Sequence, residues 1–267
     1  MKNRFKLTNL MRRSGRCGLA LSGLLLLAIA ASSSAAEILP PSSLPYGYSY
    51  EEWSAKYVQW ALGQSTDQME VVGWPGICSG PASRVRFLGG PLAPGAGGIS
   101  IVTYHDTTPA GTPLFFPILD AYSDNTACPL SDFTSLTAEQ LAAESVESFS
   151  FVTETSCTID GVSVAGMEDP TNSVYNVVSP PFSYTTAEKD NVLAGLIGEP
   201  CIPGGMTIYP AVADGVWLML SPLSPGRHTI HTVGVVSVGG VVVVRFDLTY
   251  DLTVTRDQDG GHDRDNK

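Results

Sequence analysis

The sequence predicts a mainly β fold, an antiparallel β-sandwich or jelly-roll-like domain that carries two or three short helices. Three observations lead to this prediction: polar and apolar residues alternate near the C-terminus, short apolar runs recur along the chain, and few segments have helical spacing. Gly and Pro turns separate most of the runs, which is typical of strands that pair with their neighbours in sequence.

The first predicted element is a helix that follows a Pro- and Ser-rich stretch at 37–47. Ser49 and Glu52 have the spacing of a capping box, and Gly63 marks the end of the helical pattern. An aromatic stripe at helical spacing is more often packed against a sheet than exposed to stack on sugar rings, so we interpret it as core. The stripe consists of Trp53, Tyr57 and Trp60.

Two further capping boxes predict the remaining helices. Thr137 with Gln140 precedes one apolar pattern, and Thr185 with Glu188 precedes another. We therefore expect a short helix after each pair.

Apolar runs between turn residues predict the strands before the C-terminal region. Asp160-Gly161 and Asp214-Gly215 are dipeptides typical of tight hairpin turns. The runs lie at 84–88, 99–104, 114–119, 150–155, 174–178, 206–212 and 216–220.

The clearest strand pattern is C-terminal. Apolar and polar residues alternate over 246–254, which places one face in a core and the other in water. Before it, the runs 233–238 and 241–244 flank Gly239-Gly240, a pair that favours a two-residue hairpin turn.

Residues 1–36 have the layout of a secretory signal peptide. Six basic residues precede an apolar run at 18–31, and the small residues at 34–36 resemble a cleavage site before Glu37. The apolar run is shorter than the roughly 20 residues that a spanning helix needs. We expect cleavage and export to the periplasm or the extracellular space; the alternative is a retained N-terminal anchor. The sequence leaves general secretory and twin-arginine export open.

The rest of the chain is predicted to contain one β-sandwich domain at 37–255 and a disordered acidic tail at 256–267. After the leader, nine basic residues stand against 26 acidic ones, which gives a net charge of about −17. Such a charge repels nucleic acid and anionic membranes, so we exclude nucleic-acid binding. We predict no transmembrane segment after cleavage.

Four cysteines follow the leader, and an even set in an oxidising compartment predicts two disulfides. Their wide spacing argues against a zinc ribbon or a redox pair. Three pairings are open, of which we favour Cys78 with Cys128 and Cys157 with Cys201.

Several longer segments have recognisable patterns. They include a Trp-rich stretch at 48–62, Arg-Phe-Leu-Gly-Gly at 86–90, a run containing Phe-Phe-Pro-Ile at 109–118, and 214–230, which contains Ser-Pro-Leu-Ser-Pro-Gly-Arg-His-Thr-Ile. Together they resemble an uncharacterised family of secreted bacterial proteins. The resemblance implies export and a whole shared domain, and it implies no activity.

Few residues suggest catalytic chemistry. His228 and His231 are close in sequence, but residues three apart on a strand face opposite sides, which argues against a shared metal ion. His105 and Asp106 fit a polar loop, with a general acid or base as the alternative. Ser163 lies in a segment similar to a nucleophile elbow, for which a β-hairpin is the simpler interpretation.

Acidic residues offer two weak candidate sites. Asp120 and Asp124 are candidate paired carboxylates of a glycosidase. The tail has some of the acidic spacing of a calcium loop, without its third ligand or its closing Glu, so calcium is the only cofactor considered. The tail candidates are Asp257, Asp259, Asp263 and Asp265.

Two functional hypotheses remain from the sequence. The preferred one is a non-catalytic extracytoplasmic domain that binds a glycan, a protein or a surface. The alternative is a secreted hydrolase of glycans or esters whose site is assembled only in the fold. A concave cluster that contains carboxylates with shifted pKa values would favour the hydrolase.

Overall fold

Two mixed β-sheets pack face to face in a computed structural model that describes residues 36–69, 72–75, 83–93, 95–129 and 135–256. The predicted β-sandwich is confirmed. The leader up to residue 35, Cys78 and the candidate calcium residues of the tail lie outside the described residues.

The first sheet has the strand order β1-β2-β4-β9-β7, and β8 also pairs with β9. The second sheet has the order β3-β11-β10-β5-β6. The strands of the first sheet are β1 (Val72–Gly73), β2 (Arg86–Leu88), β4 (Leu114–Asp124), β7 (Asn176–Val178), β8 (Phe182–Thr185) and β9 (Thr207–Leu220). Those of the second sheet are β3 (Ile99–Pro109), β5 (Val152–Ile159), β6 (Val162–Ser163), β10 (Gly226–Val238) and β11 (Val241–Thr255).

Two of the strand pairs are parallel, which the sequence did not indicate. Strand β2 runs parallel to β4, and β3 runs parallel to β11. These pairs join segments far apart in the chain, so no hairpin turn marks them in the sequence.

Two predicted hairpins are confirmed, and their turns show why glycine is needed. Gly239 and Gly240 both have positive φ between β10 and β11, and Asp160 and Gly161 both have positive φ between β5 and β6. Positive φ at both central residues matches the right-handed twist of the paired strands. Ser163 pairs with Thr158 in the second hairpin, as expected.

The dipeptide Asp214-Gly215 was predicted to form a turn, and this prediction is wrong. Both residues lie inside β9, so the predicted strands 206–212 and 216–220 are one strand. The glycine has a packing role: a Cβ on Gly215 would stand 2.7 Å from Cβ of Asp120. Glycine within a strand often marks such a close approach.

The first two helices occur as predicted. Helix α1 (Tyr50–Leu62) begins with both hydrogen bonds of the Ser49 capping box, and α2 (Ala138–Phe149) begins with those of Thr137. Helix α1 covers the face of the first sheet that lies away from the second sheet, with Trp53 fully buried. The interpretation of the aromatic stripe as core is confirmed for Trp53 and Tyr57, while Trp60 is partly buried and packs against the same core.

The third helix does not begin where the sequence predicted. Thr185 is the last residue of β8, and its hydroxyl lies 2.9 Å from that of Thr207 on β9. A short π-helix follows at Leu193–Ile197. The strand pairing of Thr185 therefore overrides its local capping pattern.

The preferred disulfide pairing is also wrong. Cys128 is bonded to Cys201, with their Cα atoms 5.6 Å apart, and Cys157 is a free, buried thiol. Cys157 lies on β5 and packs between the sheets, so it does not reach Cys201. Burial raises the pKa of Cys157 to about 12, which keeps the thiol protonated and unreactive.

Candidate functional site

A cavity of about 260 Å³ lies along the free edge of β4. Strand β2 pairs with β4 only at Leu114 and Phe115, so the rest of this edge faces no strand within the described ranges. Helix α1, the segment 90–92, residues 117–122 of β4 and strand β11 surround the space. The cavity therefore lies where the core under α1 meets the core between the sheets.

Two tyrosines hold one wall of this cavity in place. The Tyr57 hydroxyl donates a hydrogen bond to the carbonyl oxygen of Leu88 at 3.1 Å. The Tyr250 hydroxyl donates to the carbonyl oxygen of Gly89 at 2.8 Å. Because one tyrosine belongs to α1 and the other to β11, the chain that leads into 90–92 is fixed from both sides.

A β-bulge in β4 sets the direction of Asp120. The register with β9 shifts between Pro117 and Leu119, and Asp120 pairs with Gly215. One extra residue in a strand reverses which side chains face each side. Without the bulge Asp120 would face the second sheet; with it, the carboxyl group lies on the α1 side and lines the cavity.

Asp120 is the only charged group among the described residues that line this cavity. It is half-buried, and nothing in the described part of the chain donates a hydrogen bond to its carboxyl group. Loss of contact with water raises the pKa of Asp120 to about 7. The group therefore changes between a neutral acid and a carboxylate near neutral pH.

The tyrosines of the lining do not titrate in that range. Burial raises the pKa of Tyr57, Tyr122 and Tyr250 far above its usual value, and neighbouring ionisable groups raise it further. Asp120 is one of those neighbours for Tyr57 and Tyr122. Among these lining side chains, only Asp120 changes charge between about pH 5 and pH 9.

An unpaired hydrogen-bond donor lies close to Asp120. The Trp217 indole nitrogen is buried and has no hydrogen-bond partner in the described structure. It lies 2.9 Å from the point where a Cβ on Gly215 would stand, and Cβ of Asp120 lies 2.7 Å from the same point. The Trp217 ring stacks on Phe115 with centroids 5.4 Å apart, which fixes its orientation.

No family model, curated protein or solved structure matches this chain. The resemblance to secreted bacterial proteins stays a prediction.

Asp124 does not join Asp120 in the cavity. Its carboxylate accepts hydrogen bonds from the Tyr184 hydroxyl at 2.5 Å, the Thr126 hydroxyl at 2.6 Å and the Thr126 backbone N–H at 2.9 Å. The bond from Tyr184 joins β4 to β8, and the two bonds from Thr126 occupy the other carboxylate oxygen. The structure thus gives the two aspartates different surroundings, and the paired-carboxylate hypothesis has no support from it.

Two histidines lie on the outer face of the second sheet. His105 on β3 lies 3.4 Å from Asp251, and His231 on β10 lies 2.8 Å from Asp247. Asp106 accepts a hydrogen bond from the next backbone N–H in the chain. Cross-strand pairing explains the two histidines, and neither lines the cavity.

His228 is buried and faces the opposite side from His231, as predicted. Its Nδ1 lies 2.8 Å from Asp160 Oδ2 and its Nε2 lies 2.8 Å from the Ser224 carbonyl oxygen, with the Ser224 hydroxyl at 3.4 Å. The order Ser-His-Asp is that of a hydrolase triad. Nε2 lies nearer to the Ser224 carbonyl oxygen than to the Ser224 hydroxyl, however, so the geometry ties the ring to the backbone and does not align it with the hydroxyl as a triad would. We interpret His228 as a structural link.

No cluster of three or more metal-binding side chains occurs within the residues that the structure describes. No helix in that part of the chain is long and apolar enough to cross a membrane.

Sequence reasoning named Asp120 but missed the residues that surround it. Tyr250 was interpreted only as part of the alternating strand pattern at 246–254, Tyr122 lies beyond the predicted run 114–119, and Tyr57 was interpreted as core. The bulge in β4 and the placement of α1 and β11 around its edge bring them together, and no local pattern predicts either. An acidic residue inside a run of apolar strand residues was the one available indication.

Proposed function

We propose that the protein acts outside the cytoplasm as a non-catalytic binding protein, and that the cavity at Asp120 takes a small, largely apolar molecule. The observation that carries this proposal is one unpaired carboxyl group in a lining otherwise made of uncharged aliphatic and aromatic side chains. Ligand sites commonly combine apolar walls with a few polar groups that orient the ligand.

The size of the cavity limits the ligand. An apolar cavity of about 150 Å³ accommodates benzene. By that measure, about 260 Å³ suits a molecule of about ten non-hydrogen atoms. The aromatic stripe of α1 packs into the core, so it offers no open platform for a glycan, and the proposal concerns a compact ligand.

Two observations support an extracytoplasmic location. The leader has the charge and hydropathy pattern of a signal peptide, and Cys128 forms a disulfide with Cys201. Disulfides persist mainly in oxidising compartments.

Ligand-observed NMR with a library of aromatic fragments tests the proposal. The variant Ala121→Phe fills the cavity from β4, and the matched control Ala143→Phe places the same ring on the exposed face of α2. We expect fragments to bind the wild type and the control but not Ala121→Phe, provided that all three have similar circular dichroism spectra and melting curves. Equal binding to both variants would show that the fragments bind elsewhere, against the proposal.

One observation favours the alternative, a secreted hydrolase. A carboxyl group with a pKa of about 7 in a cavity has the proton affinity that a general base needs at neutral pH. Chromogenic aryl esters and aryl glycosides test this candidate, with Asp120→Asn as the comparison. Turnover by the wild type that is lost in Asp120→Asn would favour the hydrolase over the binding protein.

A further inference from the structure

We infer that the cavity selects an amine, a compact apolar molecule whose single ammonium group lies against the Asp120 carboxylate. This inference rests on the proposed binding function and names its ligand class. Its basis is the Asp120 carboxylate, which has no positively charged partner among the described residues.

The described chain supplies no partner for a carboxylate at this position. The lining contains no Lys, Arg or His. Lys56, on the same helix as the lining residue Tyr57, lies over the ring of Tyr48 at 4.2 Å from its centroid, and Arg245 on β11 pairs with Asp247 and Glu154. A buried carboxylate without a counter-charge is costly, and a bound cation removes that cost.

Two of the three tyrosine hydroxyls of the cavity fit a cation better than an anion. The hydroxyl hydrogens of Tyr57 and Tyr250 are directed to backbone carbonyls, so they are not free to donate to an anionic ligand. The lining also contains the rings of Tyr57, Tyr122, Phe246 and Tyr250. Aromatic faces attract ammonium groups, most strongly where water is excluded.

The protonation of Asp120 gives this inference a measurable consequence. A cation binds the carboxylate form, so its affinity rises with pH until Asp120 is ionised, near pH 7. A neutral ligand that accepts a hydrogen bond prefers the protonated acid, so its affinity falls over the same range. The tyrosines that face Asp120 or its neighbours are Tyr57 on α1, Tyr122 on β4, Tyr104 on β3 and Tyr250 on β11, and burial raises the pKa of each. Asp124 and Glu199 act on Tyr122, and Cys157 acts on Tyr250.

The test compares benzylamine with benzyl alcohol, which have the same number of non-hydrogen atoms and differ in charge. Isothermal titration calorimetry of the wild type is carried out at pH 6 and pH 8. We expect benzylamine to bind at least about tenfold more tightly than benzyl alcohol at pH 8, and to lose about tenfold in affinity at pH 6 because a proton must leave Asp120. Titrations at pH 6 in buffers of different ionisation enthalpy should show the release of nearly one proton.

Variants identify where the amine binds. Asp120→Asn should bind benzyl alcohol about as well as the wild type does and should lose the preference for benzylamine. Ala121→Phe should weaken the binding of both probes. Because this variant keeps the Asp120 carboxylate, it tests the cavity without the folding effects that a substitution at Asp120 itself can have. The surface variant Asp67→Asn removes one charge at an exposed position and should change neither affinity.

Three results would overturn the inference. Benzyl alcohol binding as tightly as benzylamine at pH 8, with Ala121→Phe blocking both, would reject the amine and leave the binding function in place. Benzylamine binding that Asp120→Asn does not weaken would place the amine elsewhere on the acidic surface. Failure of both probes to bind the wild type would count against the binding function itself as well as against the amine.

Discussion

Replacement of Asp120 by Asn should make the protein more stable at neutral pH and leave its stability nearly unchanged at pH 4. The folded protein holds the Asp120 proton up to about pH 7, whereas the unfolded chain releases it near the ordinary pKa of 3.8. Between these values unfolding releases a proton, so the free energy of unfolding falls as pH rises. The Asn side chain, similar in shape to the neutral acid, does not titrate and removes this dependence.

The expected difference in the free energy of unfolding follows from the pKa values of Asp120 in the folded and the unfolded protein. Each pH unit between 3.8 and about 7 changes the free energy of unfolding by up to about 1.4 kcal/mol, which gives an upper limit of about 4 kcal/mol. Asp120 keeps partial contact with solvent through the cavity. We therefore expect a difference of about 2 to 4 kcal/mol between Asp120→Asn and the wild type at pH 8.

Urea denaturation at pH 4, 5, 6, 7 and 8 measures this difference, with the disulfide kept intact and m-values compared between variants. Asp67→Asn is the control because it removes an equal charge from an exposed site. The free-energy curves of Asp120→Asn and the wild type should coincide at pH 4 and separate as pH rises. Parallel curves over the whole range would show that Asp120 is not held as a neutral acid, and would refute the reasoning.

Three other substitutions test the fold that surrounds the site. Cys201→Ser opens a loop with a sequence separation of 73 residues, so the free energy of unfolding should fall by about 4 kcal/mol; an unchanged urea midpoint would contradict the bridge. Gly215→Ala places a Cβ 2.7 Å from that of Asp120 and should cost about 1 to 3 kcal/mol in the same assay, whereas a neutral effect would mean that β9 relaxes easily. His228→Ala should cost about 2 kcal/mol because it removes a buried ring together with its contacts to Asp160 and Ser224; the exposed His105→Ala is its control, and equal effects would reject the structural link.

The elements that the sequence predicted well are those that depend on neighbouring residues. The capping boxes of Ser49 and Thr137 each satisfy backbone donors within one turn, and both helices begin there. The positive φ angles of Gly239 and Gly240 match the right-handed twist of β10 and β11, and the predicted hairpin forms there. In each case the decisive contacts lie within a few residues, so the printed sequence contains them.

The elements that were predicted wrongly depend on distant parts of the chain. Cys201 pairs with Cys128 rather than with Cys157, which is nearer in sequence, because the side chain of Cys157 on β5 lies in the core between the sheets. Thr185 has the residues of a cap, but its pairing with Thr207 on β9 keeps it in a strand. A single sequence does not contain the choice among these long-range pairs.

Three departures from local regularity occur around Asp120, and their coincidence supports the cavity as the functional site. A bulge in β4 turns Asp120 toward α1, Gly215 in β9 leaves room for it, and the Trp217 indole nitrogen stays buried without a partner among the described residues. Each feature lowers stability, since a bulge loses ladder hydrogen bonds, glycine weakens a strand and an unpaired donor loses its bond to water. An apolar residue at position 120 facing the second sheet would need neither the bulge nor the glycine. Proteins keep such costly features chiefly where a function requires them, so these features support the proposed binding function of the cavity at Asp120.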